Sequence, residues 1–312
     1  MAKLAYIFPG QGSQAVGMGK ALADAFPEAK AVFDAADDAL KEKLSALCFE
    51  GPEESLRLTA NTQPAILATS IAAHAVFAKR GPKADFVAGH SLGEYSALVA
   101  AGAMGLSDAV RSVRQRGSFM QEAVPPGAGA MAAVLGLAPE KVKAVCDECA
   151  QDQVLSPANY NEPGQTVIAG HAEAVERATP KLKEAGAKRV LPLPVSAPFH
   201  CALMAPVKPR LSEVLAKVSF QAPVAPVMTN VEAKPNNDAA RIASLLVEQV
   251  TSPVRWIECV EELSRQGVTR FVELGPGKVL SGLVKRIAKD AQVFNVEDPA
   301  SLEKTLAALG GV

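Results

Sequence analysis

The stretch Asp85-Phe86-Val87-Ala88-Gly89-His90-Ser91-Leu92-Gly93-Glu94-Tyr95-Ser96-Ala97-Leu98-Val99-Ala100-Ala101 decides how this chain is read. Residues 85–88 are short and apolar enough for a buried strand, and residues 94–101 make a good helix start. Between them, Gly89-His90-Ser91-Leu92-Gly93 fits the pattern G-x-S-x-G. A strand, a tight turn and a helix in that order make a nucleophile elbow. The turn is expected to hold Ser91 in a strained backbone conformation, where side chains on the flanking glycines would clash. The helix that follows aims its amide dipole at the serine, so an oxyanion forming there meets positive partial charge.

Working outward, strand and helix signals alternate. Residues 3–8 read as a strand ending in the turn Gly10-Gln11-Gly12-Ser13-Gln14. Helical patterns follow at 18–26 and 28–40, then a mostly apolar, buried helix at 64–80. A further helix is expected from an N-cap at Ser107 to about Glu122. This alternation argues for an α/β fold, a mainly parallel sheet with helices on both faces. The pattern changes at Val124-Pro125-Pro126-Gly127. Strands at 129–135, 154–159, 166–169 and 189–191, with helices at 139–151 and 172–185, give β-α-β-β-α-β, the ferredoxin-like order. Pro192, Pro194 and Pro198 mark the return. The expected division is a core of residues 1–126 and 197–312 with an inserted lobe of residues 127–196, a size usual for a small domain. The core resumes with a helix at 202–217, a strand at 225–229, helices at 238–250 and 254–266, a strand at 270–274 and a helix after Gly277.

Bulk properties exclude several classes. The 312 residues are 49% hydrophobic and 21% charged, an ordinary globular balance. The net charge of −1 supplies no global basic field, so nucleic acid is not an expected partner. The longest apolar stretches, such as residues 97–106, are too short for a bilayer, so no membrane is expected. Residues 1–10 read as a strand and turn rather than a signal peptide. Cys48, Cys146, Cys149, Cys201 and Cys259 are odd in number and irregular in spacing, which argues for a reducing cytoplasm. Cys146-Asp147-Glu148-Cys149 has no second pair, and its flanking acids would not lower a thiol pKa. It reads as two helix-packing thiols.

A serine nucleophile needs a base, because a free hydroxyl stays protonated at neutral pH. The four histidines are His74, His90, His171 and His200. His74 lies mid-helix, His171 opens a helix of the small lobe, and His90 should point away from Ser91. His200 remains as the candidate base, in the proline-rich loop Val195-Ser196-Ala197-Pro198-Phe199-His200 at the lobe junction.

Six motifs now stand in order: Gln11-Gly12-Ser13-Gln14, the elbow through Tyr95, Arg114-Gln115-Arg116-Gly117, Asn159-Tyr160-Asn161, Pro198-Phe199-His200 and Glu273-Leu274-Gly275-Pro276-Gly277. Together they resemble the malonyl-CoA:acyl carrier protein transacylase family, the stand-alone acyltransferases of type II fatty-acid synthesis. The resemblance runs from Phe8 to Gly277. It implies an α/β-hydrolase-like core with an inserted ferredoxin-like lobe. It implies ping-pong transfer of malonyl from malonyl-CoA to the phosphopantetheine thiol of acyl carrier protein, through a malonyl ester of Ser91, with no metal or redox cofactor. His200 would be the base, its second nitrogen held by an amide or carbonyl at Gln249. The backbone amides of Gln11 and Leu92 would form the oxyanion hole. Arg116 would bind the malonyl carboxylate through a two-pronged fork that lysine cannot reproduce. By sequence alone Arg111 and Arg114, on the same helix, compete with it. Asn161 is a further implied substrate contact. Phe199 is a second selectivity element, its ring leaving less room for an α-methyl group.

Three rival readings share these features. A serine esterase or thioesterase fits the elbow and the histidine, but no Asp or Glu partner for His200 can be placed. A trans-acting acyltransferase of a polyketide or malonate decarboxylase pathway fits equally, and a non-catalytic carrier-docking module fits less well with Ser91 and His200 intact. An acidic carrier protein calls for some basic surface, for which Lys285-Arg286 and Lys188-Arg189 are candidates. A cytoplasmic monomer is expected.

Overall fold

The computed structural model describes residues 2–195 and 197–310. Ten strands among them are β1 (Lys3–Phe8), β2 (Phe86–Gly89), β3 (Gly129–Leu135), β4 (Leu155–Glu162), β5 (Gln165–His171), β6 (Arg189–Pro192), β7 (Val227–Met228), β8 (Pro235–Asn236), β9 (Val268–Leu274) and β10 (Gln292–Val296). They form two sheets, ordered β10-β9-β1-β2-β7-β8 and β4-β5-β3-β6. In the first sheet every pairing is parallel except β7 with β8. The second sheet is antiparallel throughout. The fold is therefore mixed α/β, with a mainly parallel sheet and a separate antiparallel one.

The period of two in β1 explains why helices cover both faces. Leu4, Tyr6 and Phe8 enter one core, together with the helices Pro27–Leu40, Thr59–Phe77 and Leu106–Glu122. Ala5 and Ile7 enter another, with Trp256–Arg265 and Val279–Ile287. The antiparallel sheet divides the same way. Ala132 and Val134 pack on Cys146, Cys149 and Leu182 in a third core. Met131 and Ala133 face the main body instead. The two sheets are stitched where the Val254 amide donates to the Ala158 carbonyl and the Tyr160 amide to the Val254 carbonyl, both at 2.9 Å.

Several elements differ from the sequence reading. The apolar helix begins at Thr59, not at Pro64, which lies in its second turn. Proline is tolerated near a helix start, and fifteen buried residues give this helix tertiary support that outweighs the local signal. Ser107 is not an N-cap. Gly105 holds that position and Ser107 is already helical. The expected helix at 202–217 breaks into a 3₁₀ turn, Ala202–Met204, and a helix, Val207–Leu215, with Pro206 as the latter's N-cap. Proline has no N–H to continue the ladder. The helices Leu44–Glu50, Glu53–Leu56 and Pro299–Leu309 and the strands β8 and β10 were not legible as periodic segments. Most are too short for a period to register.

Candidate active site

β2 ends at Gly89 and the helix Gly93–Ala100 begins four residues later. A Cβ on Gly89 would lie 1.9 Å from Gly93 carbonyl atoms, and a Cβ on Gly93 would lie 2.1 Å from the Phe8 carbonyl oxygen. Side chains are impossible at both places, which is what the motif's glycines supply. Ser91, at the apex, has φ 52°.

Asn230, which the sequence reading did not single out, clamps this turn. Its Oδ1 accepts the Ser91 amide at 2.6 Å and its Nδ2 donates to the Gly89 carbonyl at 2.7 Å. The residue is wholly buried beyond the end of β7. The amides of Gly93, Glu94 and Tyr95 are used within the turn. Among the described residues the Leu92 amide has no protein acceptor, and neither has the Gln11 amide. Both residues line the same cavity.

The Ser91 hydroxyl lies 2.7 Å from His200 Nε2. His200 Nδ1 faces the Gln249 carbonyl at 3.0 Å and the Ser252 carbonyl at 3.2 Å. Two acceptors there fix the proton on Nδ1, so Nε2 is left as the acceptor for the serine proton. No carboxylate bonds to the ring among the described residues. Burial, with Arg116 nearby, pushes the His200 pKa down to about 3, so the imidazole rests neutral.

Arg116 approaches from the other side. It is 1% exposed on the Leu106–Glu122 helix. Its Nη1 donates to Gln63 Oε1 at 2.8 Å, and its Nη2 to Gln249 Oε1 at 2.9 Å and to Ser91 Oγ at 3.2 Å. Arg111 instead pairs with Asp108 at the surface, and Arg114 bonds to Glu42 and Asn61. Of the three arginines, only Arg116 reaches the serine. Gln249 therefore acts twice, through its carbonyl on His200 and through its side chain on Arg116. Its Nε2 donates to Glu94 Oε2 at 2.8 Å and to the Ser91 carbonyl at 3.1 Å.

Gln11, Gln63, Ser91, Leu92, Arg116 and His200 line a cavity of about 100 Å³, with His90, Met120, Met131, Asn159, Leu193, Val195 and Phe199 as its remaining wall. Met131 and Asn159 come from the antiparallel sheet, so both sheets build the site. Phe199 is in place beside His200, its amide directed at Met131 Sδ. Asn161 is not on this wall. Its Oδ1 meets His90 Nε2 at 2.8 Å, which holds the His90 ring away from Ser91. Gln63 and Asn230 were missed because they lie far from the elbow in sequence, with no motif of their own, while Glu94 stood within the elbow motif without a role that its spacing could assign. His74 is a half-buried helix residue whose pKa is pushed down to about 4 by desolvation, and the His171 Nδ1 accepts the Val154 amide. The described residues contain no group of three His, Cys, Asp or Glu side chains placed to hold a metal ion. Of the basic pairs, Arg286 is tied to Glu162 at 3.1 Å. No described helix is long and apolar enough to cross a membrane.

A model of the acyl transferase domain matches residues 5–304. The chain belongs to the acyl transferase family. It is 51% identical over 310 residues to the malonyl CoA-acyl carrier protein transacylase of Bacillus subtilis, covering 99% of this chain and 98% of that one. It is 50% identical over 307 residues to the protein of the same name from Escherichia coli K12, covering 98% and 99%. Among solved structures, an acyl carrier protein S-malonyltransferase from Vibrio cholerae superposes with a TM-score of 0.95 at 50% identity, covering 97% of this chain and 100% of that one. A malonyl-transacylase solved in complex with a type II PKS acyl-carrier protein gives 0.96 at 50% identity, covering 98% and 100%. This acyl transferase thus shares its mixed α/β architecture with its relatives over nearly its whole length.

Proposed function

We propose that this acyltransferase moves a malonyl group from malonyl-CoA to the phosphopantetheine thiol of acyl carrier protein by way of a malonyl ester on Ser91. One observation carries the reading. Ser91 Oγ is held between a neutral imidazole, at 2.7 Å, and a buried guanidinium, at 3.2 Å, in one small cavity. The first makes the oxygen a nucleophile. The second places positive charge where a carboxylate one carbon beyond the acyl carbonyl would lie.

In the first half-reaction Ser91 Oγ attacks the thioester carbon and His200 Nε2 takes its proton. The carbonyl oxygen becomes an oxyanion facing the Gln11 and Leu92 amides. The C–S bond breaks and the CoA sulfur leaves with the proton from His200. In the second half the carrier thiol gives its proton to His200 and attacks the ester, and Ser91 Oγ leaves and regains the proton. The Gln249 and Ser252 carbonyls steady the imidazolium during each transfer. A hydrolase would place a carboxylate there. That contrast favours transfer over an esterase or thioesterase. The chemistry needs no metal or redox cofactor. Arg116 carries the acyl preference and Phe199 walls the α-carbon.

The strand order and the β-α-β-β-α-β run support an α/β-hydrolase-like core of residues 1–126 and 197–312 with a ferredoxin-like lobe of residues 127–196. Malonyl-CoA and the carrier arm would enter between them. Mixing the protein with malonyl-CoA and weighing it intact tests the intermediate. One malonyl group should appear on the wild type and disappear on adding acyl carrier protein. An unmodified wild-type protein would overturn the covalent route.

A further inference from the structure

Beside the cavity lies a buried carboxyl group that the mechanism above does not use. Glu94, one residue past the elbow glycine, is 3% exposed and does not line the cavity. Its Oε2 accepts the Asn230 amide at 3.0 Å and Gln249 Nε2 at 2.8 Å. Gln249 then presents Oε1 to Arg116 Nη2 at 2.9 Å. A buried anion and a buried cation are thus joined through a single carboxamide. The other titratable side chains near Glu94 are neutral. Burial raises the Tyr95 hydroxyl, and Cys259 is held well above its usual value. His200 and His90, close to Arg116, are both shifted down by burial. Arg116 is therefore the cation that compensates Glu94, and Glu94 is the anion available to Arg116 while no substrate is bound.

We propose that Glu94 is the resting counterion of Arg116, a positioning residue that moderates the arginine's hold on an acyl carboxylate and takes up a proton when that carboxylate binds. The inference rests on the reading that Arg116 receives the malonyl carboxylate. Two buried anions sharing one cation is the arrangement in which one of them is driven to protonate. Burial already brings the Glu94 carboxyl up to about 7, so a second anion nearby completes the shift near neutral pH. The advantage is turnover. An uncompensated buried guanidinium would hold malonyl too firmly in the ground state, which gains nothing in rate. By linkage, the factor by which ionised Glu94 weakens malonyl binding equals the factor by which malonyl raises the proton affinity of Glu94.

Glu94→Gln can keep an oxygen where Oε2 stands, so it retains both hydrogen bonds and removes the charge, with an NH2 in place of Oε1. For wild type, kcat/KM for malonyl-CoA relative to acetyl-CoA should fall as pH rises from 6 to 8. In Glu94→Gln that ratio should be flat, and at pH 8 about tenfold higher, the equivalent of one pKa unit of coupling. A purely structural role would move both thioesters alike. The second measurement needs no turnover. Titration calorimetry of Ser91→Ala with malonyl-CoA at pH 7, in two buffers of different ionisation enthalpy, should show proton uptake. Acetyl-CoA, which carries the same CoA, should show none, and Ser91→Ala/Glu94→Gln should show none with malonyl-CoA. Equal uptake with both thioesters, or no uptake with malonyl-CoA, overturns the proposal. Arg116→Ala separates the two ideas. If it weakens malonyl selectively while proton uptake is absent, only the role of Glu94 fails. If it weakens both thioesters equally, the reading of Arg116 fails first.

Discussion

Ser91 and His200 meet at 2.7 Å, and both hold a left-handed backbone, with φ of 52° and 59°. Neither is glycine, so each stores strain of order 1–3 kcal/mol. The surrounding contacts must over-determine those conformations. For Ser91 the restraint is the Asn230 clamp. For His200 it is the pair of carbonyls on Nδ1.

Ser91→Gly should therefore separate activity from stability. It removes the nucleophile and also the steric cost of positive φ. The expected protein accepts no malonyl group from malonyl-CoA and melts no lower than wild type. Mass measurement and a thermal melt check both parts. A clearly lowered Tm would mean that the elbow is not strained in the sense argued.

Asn230→Ala should do the opposite. It deletes both clamp bonds and leaves the Ser91 amide and the Gly89 carbonyl unsatisfied in the interior. Such groups cost about 1–3 kcal/mol each, so denaturant unfolding should show a loss of that order. Because the fault lies in how Ser91 is presented, kcat should fall for malonyl-CoA and acetyl-CoA alike. A change confined to malonyl-CoA would place Asn230 with the arginine rather than with the serine.

The pH dependence of stability has a defined sign. His200 falls from an ordinary 6.5 to about 3, and His74 to about 4. Between those values the unfolded chain binds more protons than the folded one. The stability these rings contribute is complete above about pH 6.5 and is lost as pH falls toward the folded values. Glu94 and Glu273 rise from 4.5 to about 7 and act in the other direction, with a contribution present below about pH 4.5 and lost as pH rises through 7. The two effects oppose each other from pH 4.5 to 6.5. The test is therefore a difference. His200→Gln should show a shallower loss of unfolding free energy than wild type between pH 6.5 and 4. Parallel curves would mean that His200 is not the buried neutral ring described.

How much of this was legible depended on where the physical constraint lay. The elbow could be read because its glycines answer a steric need between near neighbours in sequence. His200 could be reached by elimination because only four histidines exist. The division of β1 between two cores follows from its alternation. By contrast Asn230 reaches Ser91 across 139 residues and Gln249 reaches Glu94 across 155. A carboxamide has no periodicity or spacing that announces such a contact. Gln249 and Arg116 came only from family resemblance, since by sequence Arg111 and Arg114 looked equivalent. What separates them is the direction each takes from one helix, toward surface carboxylates or into the cavity. Asn161 shows the limit of a motif. In the run Asn159-Tyr160-Asn161, Asn159 faces the cavity while Asn161 faces His90.

Phe199→Ser should raise kcat/KM for methylmalonyl-CoA relative to malonyl-CoA. The ring is 8% exposed and forms part of the cavity wall. Relief of one methyl group against such a wall is worth about 1–3 kcal/mol, so the ratio should move tenfold or somewhat more. Competition between the two thioesters measures it directly, and an unchanged ratio would show that the ring does not face the α-carbon.

Arg116→Ala gives opposite expectations for two substrates. In wild type the guanidinium is anchored by Gln63 and Gln249, which aim it at Ser91 without neutralising it. Removing it leaves a malonyl carboxylate without a partner in a desolvated site, a loss of about 2–5 kcal/mol. Malonyl transfer should fall by about 1.5 to 3.5 orders of magnitude, that energy at 1.4 kcal/mol per factor of ten. Acetyl-CoA carries no such charge, so its kcat/KM should hold or improve. Arg116→Lys should recover little, because a point charge cannot bond at once to Gln63, Gln249 and a carboxylate in the planar geometry of a guanidinium. Steady-state kinetics with both thioesters on wild type and both variants decides the matter. Equal losses would mean that Arg116 supports Gln249 and His200 rather than the acyl group, since Gln249 meets Arg116 through its side chain and His200 through its backbone carbonyl.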